Sequence, residues 1–376
     1  MKKAIIFSLS TGGGHNSAAR NLKEIFTESG YQVVIIDAMN RINPKLDHTI
    51  NKGYETLANK APLSWGALYK ISNQEKFSKN LFSSLAKISR RTILNIIRQE
   101  KPDIIIGTHP FVVPFIASLT KEGILNLPFI SVVTDFAAHD IYLNQEVDAY
   151  VVGSPFTKAD MVKKGISSKR IYPYGIPISK AFTERKTPPA LDVFEVLVMA
   201  GSIGLNYIVH IVDTLLQIEG PLHIRALYGK NKKLEHKMKK RFNKEIQMGR
   251  LELYGFVEDI ASLMDQSHCV LTKPGGLSVT ESINKHLPLI LPHYIPGQEK
   301  ENLDFLVSNR LAFCVRTPNE TKRTMEKIIA CPELLDTVRS NMEKITDQYS
   351  RQGVVQIADK LIDQKIGRRS FEKEET

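Results

Sequence analysis

A lysine, two glycines and a carboxylate fall close together in Lys273-Pro274-Gly275-Gly276-Leu277-Ser278-Val279-Thr280-Glu281, directly after the apolar run Cys269 to Thr272. Glycine admits the backbone angles of a very tight turn from strand to helix. The helix, expected to open at Ser278, presents its unpaired N–H groups to that turn. Free amides and the positive end of the helix dipole favour an anion, so the turn is a candidate phosphate seat. Glu281, one turn further in, would repel phosphate, and its position suits a neutral pair of hydroxyls such as a ribose. Standing alone, the same turn reads equally well as a plain connection. A second group shifts the balance: Gln298, Glu299 and Asn302 crowd into one turn after the apolar run Leu287 to Leu291 and Pro296-Gly297. The two runs are expected to lie side by side, and adjacent carboxyl ends of parallel strands are where open α/β sheets bind ligands.

Another glycine-rich turn, Ser10-Thr11-Gly12-Gly13-Gly14-His15-Asn16-Ser17-Ala18-Ala19, follows the first apolar run. Its glycines let the backbone approach a ligand, and Ala18 and Ala19 let a helix lie close to a sheet. A dinucleotide fingerprint would need glycine where Ser17 stands, although Asp37 suits the ribose contact of that fingerprint. Nicotinamide and flavin binding are disfavoured accordingly. His15 could bind or deprotonate a hydroxyl in a cleft between domains, or serve structure alone. Asp135 and His139 end another run and are expected to face the same cleft. Asp135 reads either as a general base whose pKa is raised by desolvation or as the N-cap of a helix. His109, after the preceding run, is a candidate for lining an acceptor pocket. Ala200-Gly201-Ser202-Ile203-Gly204 offers a diphosphate a further nest of amides, and Gly255-Phe256-Val257 either holds a flat base or simply ends a strand.

These residues need a scaffold, and the chain of 376 residues is long enough for two domains. Apolar strand-like runs alternate with amphipathic helical stretches throughout. Six are expected in each half: Ala4 to Ser10, Gln32 to Asp37, Asp103 to Thr108, Phe129 to Thr134, Ala149 to Val152 and Ile171 to Tyr174, then Phe194 to Ala200, His223 to Tyr228, Leu251 to Gly255, Cys269 to Thr272, Leu287 to Leu291 and Ala312 to Val315. Buried β-branched runs separated by helices imply parallel sheets covered on both faces. The join is expected near Ala181 to Asp192, a polar, proline-bearing stretch.

Net charge is +11, held in two patches: residues 41–101 carry 12 Lys or Arg against 4 Asp or Glu, and residues 230–250 carry 9 against 2. Basic patches imply nucleic acid or anionic lipid. The first patch also holds Trp65 and a stripe of Phe77, Leu81, Leu85 and Ile88, which reads as a packed helix or as one lying at a lipid interface. The second reads as a single helix over 232–246 with a solvated lysine face. No apolar run is long enough to cross a bilayer. The opening Met1-Lys2-Lys3 reads as the start of a buried strand rather than a leader. Three cysteines without metal or redox spacing suit a reducing cytosol.

Taken in order, Gly12-Gly13-Gly14-His15 with Ala18-Ala19, Val133-Thr134-Asp135-Phe136 with His139, Gly175-Ile176-Pro177-Ile178, Gly255-Phe256-Val257, Thr272-Lys273-Pro274-Gly275-Gly276-Leu277 with Glu281, and Pro296-Gly297-Gln298-Glu299-Lys300-Glu301-Asn302 resemble the monogalactosyldiacylglycerol synthases and, more closely, the bacterial processive diacylglycerol glucosyltransferases. The resemblance runs from Ala4 to about Tyr349. It implies an α/β GT-B architecture of two facing, doubly wound Rossmann-like domains. Residues 1–180 would be the lipid-acceptor and membrane-facing domain, 192–345 the UDP-sugar domain, and 346–376 a helix crossing back with a polar tail. It further implies inverting transfer of a hexose from UDP-glucose, or UDP-galactose, to diacylglycerol, with neither metal nor cofactor.

Carried over by position, Gly201, Phe256, Val257, Lys273, Gly275, Gly276, Ser278 and Glu281 would hold UDP, and Gln298 and Glu299 the sugar, with Asn302 beside them. His15 and Asp135 would serve the acceptor hydroxyl. Gly14, His109, His139, Trp65, Arg90 and Arg91 would lie on the acceptor and membrane side. Ile203 stands where relatives carry a histidine. The implied setting is cytoplasmic, peripheral on the cytoplasmic face of an anionic membrane, without nucleic acid. Two related activities share the plan: transfer of N-acetylglucosamine from its UDP form to a peptidoglycan lipid precursor, and 2-epimerisation of a soluble UDP-sugar.

Overall fold

The computed structural model describes residues 1–9, 13–42, 90–187, 189–201, 207–294 and 296–374. Gly12, Ile203, Trp65 and the whole stretch 43–89, with its expected aromatic helix, lie outside the described residues. All twelve expected strands are present. Those of the first half are β1 (Lys3–Ser8), β2 (Gln32–Asp37), β3 (Ile104–Gly107), β4 (Phe129–Val132), β5 (Ala149–Val151) and β6 (Ile171–Tyr172). They form a parallel sheet in the order β2-β1-β3-β4-β5-β6. The second half supplies β7 (Phe194–Met199), β8 (Leu222–Leu227), β9 (Leu251–Tyr254), β10 (Cys269–Leu271), β11 (Leu289–Leu291) and β12 (Ala312–Cys314), ordered β12-β11-β10-β7-β8-β9.

The first sheet is apolar on both faces because helices cover both. Along β1, Ile5 and Phe7 pack with Ile93, Ile97, Val113 and Ile116 on one side. Ala4 and Ile6 alternate to the other side, against Leu22 and Phe26 of the helix Gly14–Glu28 and Val354, Ala358 and Ile362 of the helix Gly353–Glu374. Contacts gather into two compact units that divide between Ser179 and Lys180, and the chain rejoins the first unit at Gln348. The returning segment is tied down by Arg351, paired with Glu24 at 2.6 Å and with Glu28, and by Asp359, which accepts from Lys2 at 2.7 Å and Tyr31 at 2.6 Å.

In each sheet the chain reverses direction once. In the first, β1 lies between β2 and β3; in the second, β7 lies between β8 and β10. The loops leaving such neighbouring strands diverge to opposite faces and open a crevice at the strand ends. The candidate residues after β1 and β3, and after β7 and β10, are placed by this rule. The expected helix over 232–246 is two pieces, Lys232–Arg241 and Asn243–Gln247, because Phe242 turns out of helical geometry while its ring stays in the core with Leu234 and Met238.

Gly175 adopts φ +87°, and a Cβ there would meet the Tyr349 ring at 2.9 Å. The Tyr349 hydroxyl donates to the Gly153 carbonyl at 2.8 Å, so the ring has no room to yield. Gly175→Ala should therefore cost about 1–3 kcal/mol through overpacking, beyond the backbone strain of a left-handed alanine. Gly30→Ala, at φ +81° with open space around its Cβ, isolates the strain. Thermal unfolding should rank Gly175→Ala clearly below Gly30→Ala, and equal losses would refute the packing account.

Candidate functional site

In the first unit His15 is the second residue of the helix Gly14–Glu28, just past β1. Parallel pairing of β1 with β3, Phe7 beside Gly107, brings Thr108 to it. The His15 Nδ1 lies 2.8 Å from the Thr108 carbonyl oxygen and 2.9 Å from the Thr134 Oγ1. A carbonyl only accepts, so Nδ1 carries the proton and Nε2 keeps its lone pair. The Thr108 hydroxyl donates back to the His15 carbonyl at 3.2 Å. His109 sets its ring edge-on to His15 at 4.3 Å, and its Nδ1 accepts from the Phe111 amide at 3.2 Å. His139 accepts from the Ile141 amide at Nδ1, also at 3.2 Å. When neutral, these two rings carry their hydrogen on Nε2.

Burial holds all three rings neutral. It lowers His15 to about 4 against the opposing pull of the Thr108 carbonyl, and lowers His139 to about 4 against nearby Asp140. His109 is lowered further by burial and then by His15 and His139. One proton acceptor thus stands beside two N–H donors, a set able to orient a hydroxyl and take its proton. Asp135 is buried in the turn after β4. No helix opens at it; the cap in this region is made by His139, for the short helix Asp140–Tyr142. After burial itself, the Asp135 charge is the next factor raising the Tyr142 hydroxyl. Arg90 and Arg91 begin the described helix 90–100, with Arg90 paired to Glu122 at 2.6 Å and Arg91 exposed.

In the second unit the helix after β10 runs Gly276–Asn284, opening two residues before the expected Ser278. The Gly275 amide closes the turn onto the Lys273 carbonyl at 2.8 Å, and the first helical bond is Val279 to Gly275 at 3.0 Å. The amides of Gly276, Leu277 and Ser278 consequently have no partner within the helix, and no side chain caps it. The Lys273 ammonium pairs with the Glu299 carboxylate, which is buried in the first turn of the helix Gln298–Ser308. Gly297 starts that helix at φ 115°, ψ −132°, a conformation essentially confined to glycine. Asn302, fully buried, donates to the Pro274 carbonyl at 2.9 Å and fastens the two turns together. Gly201, φ +74°, lies where a Cβ would sit 3.3 Å from Lys273 Cε.

Lys273, Gly201, Glu299 and Asn302 are thus one cluster, with Gly275, Gly276, Ser278 and Glu281 on its turn and helix. Gln298 shares the turn of Glu299, which commits one oxygen to Lys273. Phe256 and Val257 stand apart, past β9, with β7 and β8 between it and β10. The Phe256 ring is exposed, with the Lys230 ammonium 4.4 Å from its centroid. To the residues expected from sequence the structure adds Thr108 and Tyr142 in the first unit, with Thr134, quoted there in a motif but given no role, and Tyr207 and His293, whose rings stack at 4.7 Å, in the second. The available signal for the threonines was position: Thr108, like Thr272, is the first residue past a buried run, and Thr134 is two past β4.

Glu281 has no hydrogen-bond or ion-pair partner among the described residues, and burial raises it to about 8. The folded protein keeps a proton that the unfolded chain loses above its ordinary value of 4.5, so this group's contribution to stability falls as pH rises from about 4.5 to about 8. Glu281→Gln should be more stable than the parent by about 1–3 kcal/mol near pH 9 and indistinguishable near pH 4 in urea unfolding. A difference independent of pH would mean that the carboxyl ionises unhindered.

Residues 15–178 match the family model of monogalactosyldiacylglycerol (MGDG) synthase, and residues 195–359 that of the glycosyltransferase family 28 C-terminal domain. The processive diacylglycerol beta-glucosyltransferase of Bacillus mycoides (strain KBAB4) is 27% identical over 354 residues, 91% of this chain and 89% of its own. The protein of the same name from Bacillus cytotoxicus is 27% identical over 353 residues, 89% of each. Among solved structures, MurG of Acinetobacter baumannii superposes with a TM-score of 0.64 at 14% identity, covering 96% of this chain and 99% of that one. The S. aureus MnaA–UDP structure gives 0.57 at 14%, covering 94% and 93%. At such identities the superpositions speak for the fold alone. With the two domain matches in sequence order, the protein is a glycosyltransferase of the GT-B fold, similar in its first domain to monogalactosyldiacylglycerol synthase and over most of its length to the processive diacylglycerol beta-glucosyltransferases.

Proposed function

We propose that this glycosyltransferase moves glucose from UDP-glucose to the free hydroxyl of diacylglycerol with inversion at the anomeric carbon. The observation that carries the donor half is the turn Lys273 to Ser278, where three unpaired helix amides and an ammonium fixed by a buried carboxylate meet. Such a turn neutralises the pyrophosphate as the glycosidic bond breaks and its oxygen takes the electron pair. That is the charge a divalent ion would otherwise take. Glu281 accepts from the ribose hydroxyls, and Gln298 and Glu299 read the hexose. Diacylglycerol as acceptor rests on the names of the relatives together with the local +8 charge of residues 41–101, which suits an anionic lipid surface. No described helix is long and apolar enough to cross a membrane.

His15 is favoured over Asp135 as the base, because its tautomer is fixed with the hydrogen on Nδ1 and the lone pair on Nε2. The lipid oxygen bonds to the anomeric carbon as its proton passes to Nε2, and UDP leaves.

Calorimetry with UDP in excess chelator should show binding, weakened about 10–100-fold in Glu281→Ala by loss of the ribose contact. Absence of binding under chelator would remove the metal-free account. Vesicles containing diacylglycerol and an anionic lipid, incubated with labelled UDP-glucose, UDP-galactose or UDP-N-acetylglucosamine, should yield labelled glucolipid. His15→Gln should lower that rate at least about 100-fold with UDP affinity preserved. Label transferred only from UDP-galactose or UDP-N-acetylglucosamine would overturn the donor assignment, and full activity in His15→Gln would return the base to Asp135.

A further inference from the structure

We propose that Thr134, backed by Tyr142, is a positioning residue that holds the His15 ring and supports its charge as it takes the acceptor proton. This deepens the reading of His15 as base and rests on it. Nothing in the donor or family arguments singles out Thr134. Its Oγ1 is 2.9 Å from His15 Nδ1, close to the 2.8 Å of the Thr108 carbonyl on the same nitrogen. Since the carbonyl obliges Nδ1 to carry the hydrogen, Thr134 Oγ1 is a second acceptor of that N–H and must turn its own proton elsewhere. The Tyr142 hydroxyl, 3.5 Å from Oγ1, stands where that proton can turn. Both side chains are buried, so water does not compete for the arrangement.

Two oxygens on one N–H do what one cannot. The Thr108 carbonyl alone fixes the tautomer but leaves the imidazole free to rock about the Nδ1–H direction. A second oxygen restricts that motion and so holds Nε2 at a constant angle to the acceptor. It also faces the ring when Nε2 gains a proton, and a polarisable hydroxyl stabilises the imidazolium that burial disfavours. The charged groups and hydroxyls packed around this ring from other elements are consistent with the same role. Asp135 directly follows Thr134 and acts on Tyr142, while His109 presses on His15 from the loop after β3 as a neutral ring.

The test uses full-length protein labelled with 15N-histidine, together with the vesicle transfer assay. Long-range 1H–15N spectra should show His15 with its hydrogen on Nδ1. In Thr134→Val the tautomer should persist, held by Thr108, while the ring titrates at a lower pH than in the parent. The transfer kcat should fall about tenfold, with KM for the UDP-sugar within about twofold. Thr134→Ser, which keeps the oxygen, should restore both titration and rate, and Tyr142→Phe should give an intermediate loss. Parental titration and kcat in Thr134→Val would overturn the positioning role. The outcome is separable from failure of the base assignment: His15→Gln retaining full rate would refute that reading, whereas an inactive His15→Gln beside a fully active Thr134→Val refutes only the role of Thr134.

Discussion

The second unit depends on a buried ion pair that joins two turns distant in sequence. Lys273 and Glu299 are 26 residues apart, and each leaves a different strand of the same sheet. Removing an ammonium and a carboxylate from water is costly, and their attraction only roughly repays it. Stability alone therefore does not explain the pair. What it achieves is register: Lys273 is held at the amide-lined turn before any ligand arrives, and the Asn302 bond to the Pro274 carbonyl locks the same two segments a second time. An anion entering the turn meets an ammonium already in place, so little reorganisation is needed when charge develops. The carboxylate also compensates the Lys273 charge, so the ammonium is not an unpaired cation. The proposed attraction for a diphosphate then rests largely on the helix amides themselves.

The first unit solves the opposite problem. Three imidazoles lie close together, and protonating any one of them would repel the others. Burial settles the matter by keeping all three neutral, and the hydrogen bonds at their Nδ1 atoms divide them into one ring that accepts and two that donate. A free-protein value near 4 makes His15 a weak base at rest. The proposed role of His15 therefore requires the ring's basicity to rise during reaction, and the second oxygen at Nδ1 is one group on hand to support the added charge.

The strands were legible because helices bury both faces of each sheet, leaving continuous apolar runs such as Ala4 to Phe7 and Ile104 to Ile106. The residues at strand ends were legible for the same reason, since a polar residue directly after a buried run has nowhere to go but the crevice. Helix starts were less so. Gly276 disfavours a helix interior, yet as the first helical residue it forgoes no bond, and the helix extends back to it. The contacts of His15 were not legible at all: Thr108 is 93 residues away and Thr134 is 119, and both meetings follow from β3 lying beside β1 and β4 beyond it. Strand order is a property of the packed sheet, and no local pattern encodes it. Phe242 is a milder case, where periodicity reported the buried face correctly and the backbone broke to keep the ring there.

Both units place a helix N-terminus at the point where strand order reverses, and the two ends carry opposite chemistry. After β1, His15 occupies the first turn itself, where the positive end of the dipole discourages a further positive charge and works with burial to keep the imidazole unprotonated. After β10, the first turn holds only Gly276, Leu277 and Ser278 and no side chain caps it, so the amides at the same positive end have no partner within the helix. Lys273 adds to it from the turn, and Glu281 lies one turn behind, too far along the helix to cancel the dipole. One topological device thus yields a neutral imidazole in one unit and uncapped helix amides in the other, the difference lying in which side chain the chain sets on the first helical turn.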